Sequence, residues 1–124
     1  MGDNIVFVCD DDVGISDMLA LVIESAGRLV YIENDSTLLY KRLQEVKPKL
    51  LIIDLWMPIL SGDEVIRQIR ADRAFDDLYI VCISASIHGK QTAMDAGANQ
   101  FIAKPFDIAD IISVVSDERP PLFA

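Results

Sequence analysis

Five short apolar runs alternate with helical patterns along this chain, and this alternation constrains the fold more than any other feature. Continuous apolar runs of this length are typical of strands buried on both faces. Strands that alternate with helices favour a parallel sheet with helices packed against it. The predicted strands span residues 5–9, 29–32, 50–53, 79–83 and 101–103.

The segments between these strands carry apolar residues at helical spacing, which predicts one buried face per helix. Gly27 and Gly97 stand where helices one and four would end. Ser36 and Asp107 are the predicted N-caps of helices two and five, and helix four is predicted over residues 89–96. The predicted inward residues are Ile15, Met18, Leu19, Val22, Ile23 and Ala26 in helix one, Leu39, Leu43 and Val46 in helix two, Val65, Ile66 and Ile69 in helix three, and Ile108, Ile111, Ile112 and Val115 in helix five.

The length and charge of the chain limit its possible functions. Its 124 residues are enough for one domain, which we assign to residues 1–118, with 119–124 as a C-terminal tail. The 20 acidic and 11 basic residues give a formal net charge of −9, so we expect no direct binding to nucleic acid. No apolar run reaches the roughly 18 residues of a membrane span, and the start lacks the basic region of a signal peptide. We therefore expect a cytoplasmic location and no membrane partner.

Reactive polar residues follow four of the five predicted strands. Asp10, Asp11 and Asp12 follow the first strand, and Asp54 follows the third. The carboxyl ends of parallel strands line one crevice, which is where ligands bind in such sheets. The sequence therefore predicts that side chains distant along the chain meet there, the last two being Ser84 after strand four and Lys104 after strand five.

Carboxylates gathered in this way repel one another unless a cation lies between them. Mg²⁺ takes oxygen ligands and keeps several waters, so one or two carboxylates are sufficient to bind it. With the metal in place, a carboxylate such as Asp54 can attack a phosphoryl group and form an acyl phosphate. Lys104 and the Ser84 hydroxyl would stabilise the transferred group, because phosphoryl transfer needs mainly positioning and charge neutralisation.

These residues resemble the receiver domain of two-component signalling over nearly the whole chain. The similar features are the acidic pair Asp10-Asp11, the segment Asp54-x-x-Met57-Pro58-x-x-x-Gly62, Ser84-Ala85, Ala96-Gly97-Ala98 and Lys104-Pro105-Phe106. The resemblance implies a doubly wound, flavodoxin-like α/β fold whose five-stranded parallel sheet has the order 2-1-3-4-5, with helices on both faces. It also implies a phosphoacceptor switch that catalyses only its own phosphorylation and dephosphorylation, rather than an enzyme.

The resemblance assigns a role to each matching position. It implies that Asp54 accepts the phosphoryl group. It also implies that Asp54, Asp11, the backbone carbonyl of Trp56 and, through water, Asp10 hold Mg²⁺, for which Mn²⁺ can substitute. Ser84 and Lys104 would contact the phosphoryl group, and Phe101 would be the switch aromatic that moves inward with Ser84. The donor would be a phosphohistidine on a sensor histidine kinase or a histidine phosphotransfer protein. A downstream protein would bind helix four, strand five and helix five.

The chain departs from the family pattern at two places. Trp56 stands where family members often carry a polar residue, and we hypothesise that its indole shields the phosphoryl group and slows attack by water. Helix five is short before Pro120, which weakens the expectation of partner contacts there. The rest of the pattern is structural: Asp12 is expected to begin helix one, His88 to lie on the surface and Pro105 to follow a cis bond. Cys9 and Cys82 are expected to be buried and unpaired, with another strand between theirs.

Other functions remain open on the sequence alone. Asp10-x-Asp12 superficially fits a haloacid-dehalogenase-like phosphohydrolase, but that class has a larger core and would leave Asp54 without a role. A flavodoxin-like electron carrier shares the architecture, but three aspartates after strand one would repel a flavin phosphate. The chain could also be a pseudo-receiver that binds partners without phosphorylation, or a receiver module excised from a hybrid sensor histidine kinase or other multidomain regulator.

Overall fold

The structure is a computed structural model and describes residues 4–116. Its core is a five-stranded parallel sheet in the predicted order 2-1-3-4-5, with the strands numbered along the chain. The predicted boundary at residue 118 and the tail 119–124 lie outside the described residues. The strands are β1 (Ile5–Cys9), β2 (Leu29–Glu33), β3 (Leu50–Asp54), β4 (Tyr79–Ser84) and β5 (Gln100–Ala103).

Helices cover both faces of the sheet, as predicted. Alternate residues of each inner strand point to opposite faces, so they pack into two separate apolar layers. Phe7 and Leu51 belong to the layer under α2 (Ser36–Val46), α3 (Gly62–Arg70) and α4 (Gly89–Ala96). Val8 and Ile52 belong to the layer under α1 (Val13–Ser25) and α5 (Ile108–Val115). Among the described residues, no helix has the length and apolar character needed to cross a membrane. A 3₁₀ turn also spans Arg73–Phe75.

Strand β2 is partly exposed, so the expectation that every strand is too apolar to face water was wrong. It lies at one edge of the sheet and pairs only with β1 among the described strands. Leu29 and Tyr31 of β2 are therefore exposed, whereas every residue of the central strand β3 is buried. An apolar run shows that a segment forms a strand, but the position of the strand in the sheet decides how much of it is covered.

Several predicted details of the helices were wrong. The N-cap of α2 is Asp35, whose side chain accepts from the Thr37 N–H at 2.9 Å, and Ser36 is the first helical residue. Ser36 instead donates to the carbonyl of Leu60 at 2.6 Å, an acceptor from a distant loop that the sequence does not indicate. Four residues predicted to face inward are exposed, namely Met18 of α1, Ala26 at its C-cap, and Ile108 and Ile112 of α5. Ser16 and Val114 are buried instead.

Arg70, the last residue of α3, joins this helix to segments 75–78 and 97–99, at the end of the sheet opposite the strands' carboxyl ends. Its guanidinium donates to the carbonyls of Gly97 (2.9 Å), Phe75 (3.0 Å) and Leu78 (2.8 Å), and to Oδ1 of Asn99 (2.7 Å). An added Cβ on Gly97 would lie 2.6 Å from Cγ of Arg70, so the side chain lies directly over this glycine. The arginine thus supplies a charged donor to three loop carbonyls, and that of Phe75 also accepts from the N–H of Leu78 at 3.1 Å.

Replacing Arg70 by methionine should lower the free energy of unfolding by about 2 kcal/mol, because several acceptors lose a charged donor at once. Urea unfolding followed by circular dichroism measures this loss. Arg67→Met is the matched control on the same helix, since Arg67 makes an exposed ion pair with Asp63, which is worth less than about 1 kcal/mol. Equal losses in the two variants would contradict the role assigned to Arg70.

The two cysteines are buried and unpaired, as predicted. Cys9 lies on β1 and Cys82 on β4, with β3 between them. Burial raises the pKa of both thiols, that of Cys82 to about 12. Cys9 also contacts Met57, with 3.8 Å between their sulfur atoms. Both therefore behave as small apolar core residues.

Candidate functional site

Four strands place polar residues at the end of the sheet formed by the strands' carboxyl ends, as predicted. Asp10 follows β1, Asp54 ends β3, Ser84 ends β4 and Lys104 follows β5. The register aligns Asp54 with Ile83, and Ser84 with Ala103, so these ends lie at the same level. The parallel sheet thus gathers residues that are up to 94 positions apart in the sequence.

Three carboxylates and one ammonium group meet at this edge. Nζ of Lys104 lies 3.2 Å from Oδ1 of Asp54 and 3.8 Å from Oδ2 of Asp10. Asp10, Asp11 and Asp54 each offer one oxygen, and these oxygens lie within 4.8 Å of one another. With all groups ionised, the three negative charges exceed the single positive charge of Lys104, so the cluster retains a net negative charge.

Burial makes this charge excess costly. Asp10 and Asp54 are only 2% and 6% exposed, whereas Asp11 is exposed. Burial raises the pKa of the Asp10 carboxyl to about 6, and the charge of Asp54 adds to this effect. Burial also raises the pKa of Asp54, although Lys104 opposes the shift. The environment therefore disfavours the ionised forms unless a further cation enters.

The donor set suits a hard divalent cation. All three candidate ligands are carboxylates, and the exposed position of Asp11 leaves one side accessible to solvent. Mg²⁺ prefers such oxygen ligands and retains waters at its other positions. A dication would balance the charge excess and remove the cost of ionising Asp10 and Asp54. The residues present thus fit a magnesium-like ion.

Ser84 is fully buried beside the start of α4. Its Oγ accepts from the backbone N–H of Ser86 at 3.0 Å, and its carbonyl accepts from the N–H of Lys104 at 2.9 Å. A Cβ added to Gly89 would lie 2.9 Å from Oγ of Ser84 and 3.2 Å from Cε1 of Phe101. The serine, the half-buried aromatic ring and the first residue of α4 therefore pack against one another.

The profile of the family described as the response regulator receiver domain matches residues 6–116. The chain belongs to this family. Among curated proteins, this receiver domain is 29% identical over 112 residues to the DNA-binding dual master transcriptional regulator RpaA of Synechocystis, covering 89% of the chain and 46% of that protein. It is 30% identical over 108 residues to the uncharacterized transcriptional regulatory protein YkoG of Bacillus subtilis, covering 87% and 47%. The chain thus spans about half the length of these relatives.

Solved structures agree with the fold. A response regulator signal receiver domain from Bermanella marisrubri has a TM-score of 0.84 to this chain at 25% sequence identity. The match covers 91% of this chain and 95% of that one. The parallel sheet and its helices are therefore those of known receiver domains.

The loop after Asp54 explains the glycine of the family motif in this receiver domain. The N–H of Gly62 donates to the carbonyl of Leu55 at 2.7 Å, which folds the loop back on the end of β3. A Cβ at residue 62 would lie 2.3 Å from the carbonyl oxygen of Asp54 and 2.8 Å from Cα of Leu55. Real Cβ contacts with backbone atoms are never this short, so the close approach requires glycine.

Two large apolar side chains of the same loop face solvent. Trp56, two residues after Asp54, is 57% exposed, and Ile59 is 91% exposed. Ile59 also has a φ of 68°, which is rare for a β-branched residue and costs of order 1 kcal/mol or more. The sequence indicates a turn here but neither the strain nor the exposure of Ile59.

The residues expected to have only structural roles in the receiver domain behave as predicted. Asp12 is the N-cap of α1, where its side chain accepts from the N–H of Ile15 at 3.2 Å. His88 is exposed at the start of α4, and the bond between Lys104 and Pro105 is cis.

Asn34, which follows β2 beside the acidic cluster, was not among the predicted site residues. Its amide donates to the carbonyl of Asp10 at 2.6 Å and to Oγ of Ser16 at 2.9 Å. Asparagine is common in loops after strands, so its residue type alone gave no indication of these contacts.

Proposed function

We propose that this receiver domain accepts a phosphoryl group on Asp54 in a reaction that depends on Mg²⁺. The main support is that Asp54, Asp10, Asp11 and Lys104 form one cluster, in which three carboxylate charges exceed the single positive charge. The proposal retains residues 1–118 as the domain and the cytoplasmic location expected from the sequence.

In the proposed step, a carboxylate oxygen of Asp54 attacks the phosphorus atom of a phosphohistidine. The new O–P bond forms as the P–N bond breaks, and the electron pair leaves with the imidazole, which takes up a proton. Burial of Asp54 excludes bulk water, and Lys104 at 3.2 Å orients the carboxylate and offsets its charge. Mg²⁺, held by Asp11, Asp54, the carbonyl of Trp56 and, through water, Asp10, would supply the remaining positive charge; Mn²⁺ is an expected substitute.

We assign the switch to Ser84 and Phe101. The Ser84 hydroxyl would turn from the N–H of Ser86 toward the phosphoryl group, and the ring of Phe101, which packs beside Gly89, would move inward into the space that the hydroxyl leaves. Because Gly89 begins α4, a change at this contact reaches the surface formed by α4, β5 and α5. Exposed apolar residues on that surface support a protein partner there: Met94, Ile108 and Ile112.

The proposed donor is a sensor histidine kinase or a histidine phosphotransfer protein. A donor histidine must reach Asp54, so the donor protein must cover the loop that holds Trp56 and Ile59. The exposure of both side chains supports a partner at this position. RpaA is a DNA-binding regulator by its name, but the chain spans only about half of that protein, so any DNA-binding output would belong to other segments.

The decisive experiment measures the intact mass of the protein after incubation with acetyl phosphate and Mg²⁺. We expect a gain of one phosphoryl group that EDTA prevents. Asp54→Asn should abolish the gain, and Asp11→Asn should strongly reduce it. Asp12→Asn is the matched control, because Asp12 neighbours the cluster but only caps α1. A folded wild-type protein that gains no mass from acetyl phosphate or from a phosphohistidine donor would refute the proposal and leave a pseudo-receiver.

Trp56→Asn should speed loss of the phosphoryl group by about tenfold, equivalent to about 1.4 kcal/mol in the barrier, because water gains access to the phosphorus atom. The decay of the phosphorylated mass over time at fixed Mg²⁺ measures this rate. Trp56→Phe should keep most of the shielding and decay at nearly the wild-type rate. An unchanged rate in Trp56→Asn would show that the indole does not protect the acyl phosphate.

A further inference from the structure

Asn34 anchors the loop that carries the first two carboxylates of the cluster. Its Nδ2 donates to the carbonyl of Asp10 at 2.6 Å and to Oγ of Ser16 at 2.9 Å. Ser16 is fully buried in the first turns of α1 and donates to the carbonyl of Val13 at 3.0 Å. One amide thus ties the end of β2 both to the point where the chain leaves β1 and to the helix that follows.

The loop that Asn34 anchors carries carboxylates that repel one another. Asp10 has Lys104 and the N–H of Asp12 as favourable contacts, whereas Asp11 is exposed beside two other carboxylates. Repulsion among Asp10, Asp11 and Asp54 favours movement of the loop away from β3. The hydrogen bond from Asn34 to the Asp10 carbonyl opposes this movement without adding another charge.

Asn34 also borders a recess beside Asp11. The recess has a volume of about 260 Å³, and its walls include Asp35, Met57 and Ile59. A liquid water occupies roughly 30 Å³, so the recess can hold several of the waters that Mg²⁺ retains. The amide therefore lies at the point where the loop, the exposed carboxylate and the space for metal-bound water meet.

We propose that Asn34 is a positioning residue for the divalent cation, which it serves by fixing the loop so that Asp11 and Asp10 point at a common site with Asp54. This inference rests on the magnesium-dependent function proposed above. Partners that orient metal ligands typically contribute about tenfold to a hundredfold in metal affinity. Asn34→Ala should therefore weaken binding of Mn²⁺ and Mg²⁺ about tenfold.

The test measures metal binding directly on the full chain. Electron paramagnetic resonance of free Mn²⁺ gives its Kd, and competition gives the Kd of Mg²⁺. Ser16→Ala provides a milder second variant, which removes one acceptor of Asn34 but keeps the bond to Asp10; we expect about a threefold loss. Arg70→Met is the control for general destabilisation, because Arg70 lies at the opposite edge of the sheet, and we expect its metal affinity to be unchanged.

The outcomes separate the inference from the proposed function. Weaker binding in Asn34→Ala, with wild-type binding in Arg70→Met, supports the positioning role. Equal affinity in Asn34→Ala and wild type overturns it and leaves the magnesium site intact, as does an equal loss in Arg70→Met. A wild-type protein that binds neither cation overturns both. If Asn34→Ala does not fold, Ser16→Ala decides: unchanged affinity in that variant also overturns the inference.

Discussion

Gly62→Ala should lower the free energy of unfolding by about 3 kcal/mol, because the new methyl group collides with backbone and not with a side chain that could move. The added Cβ would lie 2.3 Å from the carbonyl oxygen of Asp54 and 2.8 Å from Cα of Leu55. The loop after β3 must therefore shift, and the Asp54 carboxylate shifts with it. We expect phosphorylation by acetyl phosphate to slow by about a hundredfold, since small displacements of reacting groups have effects of this size.

Urea unfolding and the rate of phosphoryl mass gain measure the two effects of Gly62→Ala. Gly14→Ala is the matched control in the first turn of α1, where an added Cβ meets only Oδ1 of Asp12 at 3.3 Å. It should change stability by less than about 1 kcal/mol. Wild-type stability in Gly62→Ala would mean that the loop moves freely at the end of β3 and that the close contact is not required.

Metal-free protein should become more stable as pH falls from 7.5 to 5, whereas the stability of Mg²⁺-saturated protein should stay nearly constant. In the folded protein the pKa of Asp10 is raised from 3.8 to about 6, so the folded state binds a proton more tightly than the unfolded state. Metal-free stability should therefore rise as pH falls through 6. Asp10 alone contributes about 1.4 kcal/mol between pH 7 and pH 5, and the raised pKa of Asp54 acts in the same direction.

Saturating Mg²⁺ should abolish this trend. At a hundredfold excess over Kd, the metal adds about 2.7 kcal/mol at pH 7.5, and this gain should shrink toward pH 5 as protons compete for the same carboxylates. Urea titrations between pH 5 and pH 7.5, with EDTA or Mg²⁺, test both slopes. Asp10→Asn should flatten the metal-free slope. A metal-free protein that becomes less stable as pH falls from 7 to 5 would contradict the raised pKa values of the buried carboxyls in this cluster.

The residue pattern was sufficient to predict the elements and the meeting of residues from four strands, and the family resemblance supplied the order of the strands. This succeeded because the buried strands are short and continuously apolar, and because a parallel sheet aligns its carboxyl ends at one edge. The prediction that Asp54, Asp10, Asp11 and Lys104 lie together follows from topology alone. Their chemical roles stay predictions until phosphorylation is measured.

The errors have a common physical origin. Leu29 in β2 and Ile112 in α5 were expected to be buried because their patterns are apolar, but cover depends on which elements lie next to a segment. The α2 cap was misplaced by one residue because Asp35 and Ser36 are both good caps, and the choice depends on the carbonyl of Leu60. The contacts of Arg70 and Asn34 also join distant segments, and no local pattern encodes them.

The two buried thiols can report on opening of the sheet. Thiolate is the reactive form of cysteine, and both thiols are inaccessible and hard to ionise in the folded state. A thiol reagent can therefore modify them only when the sheet opens. Since Cys9 and Cys82 lie on strands on either side of β3, comparing their labelling reports whether the two halves of the sheet separate together or in turn.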